Sequence, residues 1–199
     1  MATRSDGKLR ELRALFASAG LRVTDLREAG LEERAEENDL ESARTFEDNA
    51  LAKARYFHAR SGAPTIADDS GLEVAALGGA PGVLSKRWSG RDLDGQALDD
   101  ANNALLIERL ATHDDRRASY VCAAAYCDAR DTFVMRGETA GRIARVPRGK
   151  AGFGYDPYFE SDELGRTFAE VTMAEKALVS HRARAFAALL SRLQRASRG

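Results

Sequence analysis

The chain has 199 residues, of which 44% are hydrophobic, and its 30 basic and 31 acidic residues leave a net charge of -1. This balance argues against a broad nucleic-acid-binding surface but leaves open a local basic groove, so any anionic ligand must be met by local groups. No apolar run reaches the roughly 18 residues of a membrane span, and the N-terminal segment lacks the apolar core of a signal peptide. We therefore expect a cytoplasmic protein without a membrane or nucleic-acid partner.

The first predicted element is a helix over residues 8–19, where apolar residues recur at helical spacing and Gly20 supplies a C-terminal stop. Residues 21–26, "LRVTDL", are predicted to form a strand. The acidic stretch that follows, residues 28–41, is typical of a solvated loop or helix face.

A second helix is predicted to begin after Thr45 as N-cap and to end at Gly62. Its buried face is expected to consist of Phe46, Ala50, Ala54 and Phe57. Lys53 lies beside that face, where its ammonium group either extends to water or points at a buried anion.

Two adjacent carboxylates, Asp68 and Asp69, follow the short apolar run of residues 65–67. The run predicts a buried strand that ends at this pair, and Ser70 and Gly71 predict a turn that lets both carboxylates serve one site. Like charges repel, which favours a cation beside them, and Mg²⁺ prefers oxygen ligands of this kind. The alternative is that these aspartates only cap a turn.

The remaining elements alternate between irregular segments, a helix and strands. Turns and short strands are expected over 71–90, a helix over 96–110, strands over 118–127 and 132–138, and an antiparallel extension over 140–146. A Thr172–Glu175 capping box opens a long helix to about Arg195. Cys122 and Cys127 fall on opposite faces of one strand and should stay unpaired. Together these elements predict an α/β fold with a mixed, curved central sheet flanked by helices, forming one domain over residues 1–199.

Three further patterns point to a ligand, each with a structural alternative. Lys8 near the start of the first helix suits a phosphate, although such residues also serve as simple caps. In "GFGYDP", the glycines leave Phe153 able to stack on a flat base, although a hairpin turn with a core aromatic fits as well. Residues 180–182, "SHR", supply hydrogen-bond donors in mid-helix or form an ordinary surface feature.

Six segments in order, "ATRSDGKLREL", "TFEDNALAKAR", "IADDSGLEV", "LGGAPGVLSKRWSG", "GFGYDPYF" and "EKALVSHR", closely resemble the inosine triphosphatase family, the noncanonical purine nucleoside triphosphate pyrophosphatases. The resemblance implies Mg²⁺-dependent hydrolysis of ITP, dITP and XTP to the monophosphate and pyrophosphate. It also implies a two-lobed fold with the substrate in the cleft between lobes, and a homodimer.

The same resemblance implies roles for individual residues. Asp69 is expected as general base and metal ligand, with Asp68 and Glu41 as further acids around Mg²⁺. The substrate-binding residues that it implies are Lys8, Lys53 and Lys176 on the triphosphate, with hydroxyl donors Thr3, Ser5 and Ser70, and Phe153, Gly154, Tyr155, Asp156, His181 and Arg182 around the base.

The chain departs from the family pattern near its first residue. The family normally has an apolar strand before "AT" and an asparagine where this chain has Ser5, so the altered segment puts phosphate positioning at issue. Two other functions stay open: a nucleotide-binding protein that has lost turnover through this segment, and a pyrophosphatase for other modified or pyrimidine nucleotides.

Overall fold

The structure is a computed structural model that describes residues 1–196. Its helices and strands, in chain order, are α1 (Asp6–Ser18), α2 (Phe46–Ser61), β1 (Thr65–Val74), α3 (Gly95–Arg109), β2 (Arg117–Cys127), β3 (Thr132–Ile143), β4 (Phe159–Ser161), α4 (Met173–Val179) and α5 (His181–Ala196). Short 3₁₀ helices lie at Ala35–Asp39, Ala75–Leu77 and Gly82–Arg87.

The strands form one antiparallel sheet in the order β1-β2-β3-β4. Its last pair is in register at Gly141 with Ser161 and at Ile143 with Phe159. Parallel pairing, which a mixed sheet requires, is represented among the described residues by an isolated bridge between Ala2 and Ala67. The predicted α/β class is confirmed, but the sheet is more uniformly antiparallel than the sequence indicated.

The chain divides into two compact units, each assembled from separate stretches of sequence. The first comprises residues 1–69, 122–137 and those from 181 onward, and the second comprises 70–121 and 138–180. A core that includes Leu12, Phe16, Ile66, Phe133, Phe186 and Leu189 fills the first unit, and one that includes Leu72, Leu106, Ile143, Tyr155, Phe159 and Phe168 fills the second. That residues 1–199 form a single domain stays a prediction.

Local capping explains why the first two helices are where the sequence predicts them. The Ser5 hydroxyl accepts a hydrogen bond from the Lys8 backbone N–H at the start of α1, and Thr45 accepts one from Asp48 at the start of α2. Gly62 ends α2 with a left-handed backbone at φ 66°. The predicted apolar face of α2 is buried, together with Asn49 and Lys53. The helix predicted over 96–110 is also confirmed, as α3.

The strand predicted for residues 21–26 is wrong, because this segment has no regular structure. Asp25 and Glu28 exchange hydrogen bonds between their side chains and each other's backbone N–H groups, at 2.9 and 2.8 Å. This local capping fixes a turn at the end of the segment. Leu21, at 46% exposure, supplies no buried face for a strand.

The strand predicted to stop at Asp68 and Asp69 in fact continues through them to Val74. The turn predicted at Ser70 and Gly71 does not form, because both residues lie within β1. The expected irregular segment begins only after Val74 and contains two of the 3₁₀ helices.

The long C-terminal helix is also two helices rather than one, with the break at Ser180. Ser180 has an extended backbone (φ -68°, ψ 144°). The carbonyl of Val179 accepts a 2.7 Å hydrogen bond from the buried Thr139 hydroxyl, which occupies an acceptor that a continuous helix would use. Residues 180–182 therefore lie at a helix junction instead of mid-helix. The Thr172–Glu175 capping box is present as predicted.

Two smaller predictions can be compared directly with the structure. Cys122 and Cys127 are both buried and form no disulfide, as their spacing predicts. Within residues 1–196, none of the helices has the length and apolarity needed to cross a membrane.

Candidate active site

Asp68 lies in the middle of β1 with its carboxylate 1% exposed, and two cations meet it there. Lys8 Nζ from α1 lies 3.0 Å from Asp68 Oδ2, and Arg182 Nε from α5 lies 3.3 Å from the same oxygen. Arg182 also pairs with Glu11 of α1. Burial alone would raise the pKa of Asp68, but the charges of Lys8, Arg182 and Lys53 outweigh it and hold that pKa well below its usual value. Asp68 is therefore a permanent anion inside the first unit.

Asp69, the next residue, has different partners, and its pKa is shifted in the opposite direction. Asn49 Nδ2 of α2 donates a 2.8 Å hydrogen bond to Asp69 Oδ2, and Lys53 Nζ lies 3.9 Å from Asp69 Oδ1. Burial raises the pKa of Asp69, and the nearby charges of Lys53 and Lys8 only partly offset it. A carboxylate with a raised pKa holds a proton more readily than its neighbour does, which is the property of a general base.

The Lys53 ammonium marks a position where oxygens converge on a positive charge. It lies 2.5 Å from Glu41 Oε1 and 2.5 Å from the carbonyl oxygen of Asp68, besides its contact with Asp69. Within residues 1–196, no three His, Cys, Asp or Glu side chains form a ready-made metal centre. The oxygens of Glu41 and Asp69 are nevertheless of the kind that a hard cation such as Mg²⁺ prefers. The Asp68 carboxylate is bound instead by Lys8 and Arg182.

The hydroxyl groups before α1 serve the local backbone. Thr3 Oγ1 accepts a 3.2 Å hydrogen bond from the Ser5 N–H, and Ser5 Oγ accepts a 3.4 Å hydrogen bond from the Lys8 N–H. These contacts are the capping arrangement that the sequence left open as an alternative. They also fix the backbone from which Lys8 reaches Asp68.

The glycine-aromatic segment lies in the second unit and is folded around Asp156. Asp156 Oδ2 accepts a 3.0 Å hydrogen bond from the Phe153 N–H and lies 2.7 Å from Lys176 Nζ. That ammonium is 5.1 Å from the ring centroids of both Phe153 and Phe168. Lys176 is therefore a buried cation at the base of this segment, held by one carboxylate and two aromatic faces.

Helix α3 holds the backbone of the same segment at Gly154. Asp99 Oδ2 accepts a 2.7 Å hydrogen bond from the Gly154 N–H, and Asn103 Nδ2 donates a 2.9 Å hydrogen bond to its carbonyl. Burial raises the pKa of Asp99, although the Gly154 N–H opposes this. The Tyr155 hydroxyl donates to the buried carbonyl of Ser85 at 2.8 Å, so this side chain contributes to the core.

The structure groups the predicted residues into two sets. Lys8, Glu41, Lys53, Asp68, Asp69 and Arg182 lie together in the first unit, and Phe153, Gly154, Asp156 and Lys176 lie together in the second. Ser70 is half-buried and follows Asp69 in β1, and His181 is buried as the first residue of α5. Arg182, expected near the base, is bound to the Asp68 carboxylate.

Sequence reasoning assigned no role to four residues that hold these sets in place: Glu11, Asn49, Asp99 and Asn103. Asn49 and Glu11 could have been found, because each lies one helical turn from a predicted lysine, Asn49 from Lys53 and Glu11 from Lys8. Asp99 and Asn103 carry no such signal, since their contacts with Gly154 join positions more than fifty residues apart.

Comparison with known proteins gives consistent results along the whole chain. The model of the Ham1 family matches residues 1–192. The dITP/XTP pyrophosphatase of Mycolicibacterium paratuberculosis is 50% identical over 202 residues, covering 100% of this chain and 96% of that protein. The dITP/XTP pyrophosphatase of Ralstonia nicotianae is 45% identical, covering 98% of this chain and 95% of that protein. The solved structure of the Staphylococcus aureus Ham1 protein is similar to this chain with a TM-score of 0.82 and 34% sequence identity. The match spans 97% of this chain and 96% of that protein.

Proposed function

The chain belongs to the Ham1 family, and on that premise we propose that it hydrolyses noncanonical purine nucleoside triphosphates, namely ITP, dITP and XTP, to the monophosphate and pyrophosphate. The names of the relatives support the substrate class. The observation that carries the proposal is the contrast between two neighbouring carboxylates. Asp68 forms ion pairs with Lys8 and Arg182, whereas Asp69 is buried against the Asn49 amide with Lys53 farther away.

The reaction adds water across the α–β phosphoanhydride, and Asp69 is the group that we assign to accept the proton of that water. Phosphoryl transfer depends mainly on positioning the reactants and on neutralising the phosphate charge. Cations are therefore required beside the general base, Asp69. Lys8 and Lys53 supply two of them within the first unit. The permanent charge of Asp68 keeps Lys8 ordered, and Arg182 adds to this network.

We propose that the carboxylates of Glu41 and Asp69 would hold the magnesium ion, because both lie near each other beside Lys53 and offer the oxygen ligands that such an ion prefers. When bound, a divalent ion of this kind neutralises phosphate charge and increases the acidity of water. Asp68 as a further acid around the ion stays a prediction, and its carboxylate pairs with Lys8 and Arg182. The donor set supports an oxygen-preferring metal because it contains no sulfur ligand.

Base recognition is assigned to the segment around Phe153, with stacking on its ring worth about 1–3 kcal/mol. We propose that hydrogen-bond donors, among them His181, bind the 6-oxo group of hypoxanthine or xanthine. Adenine carries an amino group there, which leaves a buried donor unpaired at a cost of about 1–3 kcal/mol. We further infer a homodimer from the family resemblance and a cytoplasmic location from the sequence, and both stay predictions.

The experiment is pyrophosphate release from purified protein with Mg²⁺, comparing ITP, dITP and XTP with ATP, GTP and dTTP, with and without a chelator. We expect fast, chelator-sensitive release from the first three. An Asp69→Asn variant should lose nearly all turnover and keep most of its affinity for ITP. The control is Asp114→Asn, whose carboxylate is fully exposed. A folded protein that binds ITP but releases no pyrophosphate would point to the nucleotide-binding alternative instead.

A further inference from the structure

Asn49 is a fully buried amide with both of its ends engaged. Its exposed fraction is 0%. Its Oδ1 accepts a 2.9 Å hydrogen bond from the Ala43 N–H, and its Nδ2 donates a 2.8 Å hydrogen bond to Asp69 Oδ2. A backbone N–H can only donate, so the atom that faces Ala43 is the oxygen, and the amide nitrogen is thereby directed at Asp69.

This orientation distinguishes the two oxygens of Asp69. Oδ2 receives the amide proton of Asn49, whereas Oδ1 is the oxygen that faces the Lys53 ammonium at 3.9 Å. A carboxylate held in this way cannot rotate about its last bond without losing the Asn49 hydrogen bond inside a buried site, where an unsatisfied amide donor is costly.

The same amide also joins Asp69 to the loop that carries Glu41. Ala43 lies two residues after Glu41, in the segment between the first 3₁₀ helix and α2. Glu41 is held from the other direction by Lys53, which is one helical turn after Asn49 on α2. A single turn of α2, which carries Asn49 and Lys53, therefore fixes the carboxylates of both Glu41 and Asp69.

We propose that Asn49 is a positioning residue for the hydrolytic reaction: its amide fixes the orientation of the Asp69 carboxylate, and it keeps the Glu41 loop in register with Asp69. The inference rests on the proposed function. The role of Asn49 is exerted through Asp69, whose Oδ2 accepts the hydrogen bond of its amide.

The test compares four proteins at one fixed pH with saturating Mg²⁺: wild type, Asn49→Ala, Asn49→Asp and Asn102→Ala. We expect Asn49→Ala to lower kcat for ITP by about 10–100-fold, as the loss of an orienting partner typically does, with KM little changed. Asn49→Asp retains an acceptor for the Ala43 N–H but lacks the donor towards Asp69. It should therefore stay as slow as Asn49→Ala if the donor is what matters.

Asn102→Ala is the matched control. Asn102 is also a buried amide with both ends engaged, accepting from the Ser89 N–H and donating to the Lys86 carbonyl, but it lies in the second unit. Its loss should lower the melting temperature by a similar amount while leaving kcat within about threefold of wild type, as expected for independent sites. A parallel fall of kcat in both alanine variants would indicate general destabilisation and overturn the inference.

A double-mutant cycle gives the second readout. In an Asp69→Asn background, Asn49→Ala should not reduce the residual rate further, because a group that acts through Asp69 has nothing left to position. Recovery of wild-type kcat by Asn49→Asp, or additive losses in the cycle, would refute the positioning role. If wild type itself releases no pyrophosphate from any nucleotide, the proposed function fails and this inference fails with it. An active wild type with an unaffected Asn49→Ala refutes only the inference.

Discussion

Replacement of Asp68 by asparagine should strongly destabilise the protein, because the carboxylate neutralises two cations that have left water. The Asp68 side chain is 1% exposed and that of Arg182 is 4% exposed, whereas that of Lys8 is 16% exposed. Breaking a buried ion pair by removing one partner costs about 3–5 kcal/mol. Arg182 would retain its contact with Glu11, so we expect the lower end, about 3 kcal/mol. For a chain of this size that corresponds to a fall in melting temperature of about 6–12 °C.

The measurement is urea unfolding followed by circular dichroism, with a chelator present so that metal binding does not contribute. The control is Asp115→Asn, which removes an exposed pair with Arg117 at 2.7 Å and should leave stability unchanged within error. Because the pKa of Asp68 is lowered in the folded state, its stabilisation is present above the unfolded value of about 3.9 and is lost as the pH falls below it. The difference between wild type and Asp68→Asn should therefore be constant near neutral pH and shrink in acid. Equal stability of the two proteins at neutral pH would refute the reasoning.

Three further changes test the assigned ligand sites. Gly152→Ala places a Cβ 2.0 Å from the Asp156 carboxylate at a backbone φ of +79°, so the KM for ITP should rise by more than about 10-fold. The control is Gly165→Ala, at φ +61° with open space around it, which shows the effect of the backbone conformation alone. Phe153→Ala should weaken ITP binding by about 5–150-fold if stacking contributes 1–3 kcal/mol, measured by calorimetry, and an unchanged affinity would rule out the stacking role. Glu41→Gln should weaken Mn²⁺ binding to the free protein by at least about 10-fold, and an unaltered titration would remove Glu41 from the metal site.

Local signals in the sequence were sufficient for the elements whose ends are fixed locally. The limits of α2 follow from Thr45 and Gly62, which act on their nearest backbone neighbours. The direction of Lys53 was one of two alternatives, and the structure points it at the carbonyl of Asp68 and at Glu41. The apolar spacing of α2 could predict that Lys53 lies beside the buried face, but the oxygens that it meets come from other segments.

Tertiary contacts explain the elements that sequence reasoning missed. No proline or glycine marks the break at Ser180; the partner of the Val179 carbonyl is Thr139, forty residues away. Similarly, nothing near Asp68 indicates that β1 continues through two carboxylates, because the groups that make this tolerable come from α1, α2 and α5. The pairing of Gly154 with Asp99 and Asn103 depends on the same kind of distant contact.

The adjacent aspartates show how one strand can supply two different chemistries. Neighbouring residues of a strand point to opposite faces, so Asp68 meets Lys8 and Arg182 whereas Asp69 meets Asn49 and, at a longer distance, Lys53. Two direct ion pairs lower the pKa of the first carboxylate, whereas burial raises that of the second because the cations near it are too distant to offset burial fully. Groups whose environments move their pKa values apart are suited to separate roles in acid–base catalysis. The repulsion between the two charges is therefore accommodated without a turn, and their unequal surroundings favour Asp69 as the proton acceptor.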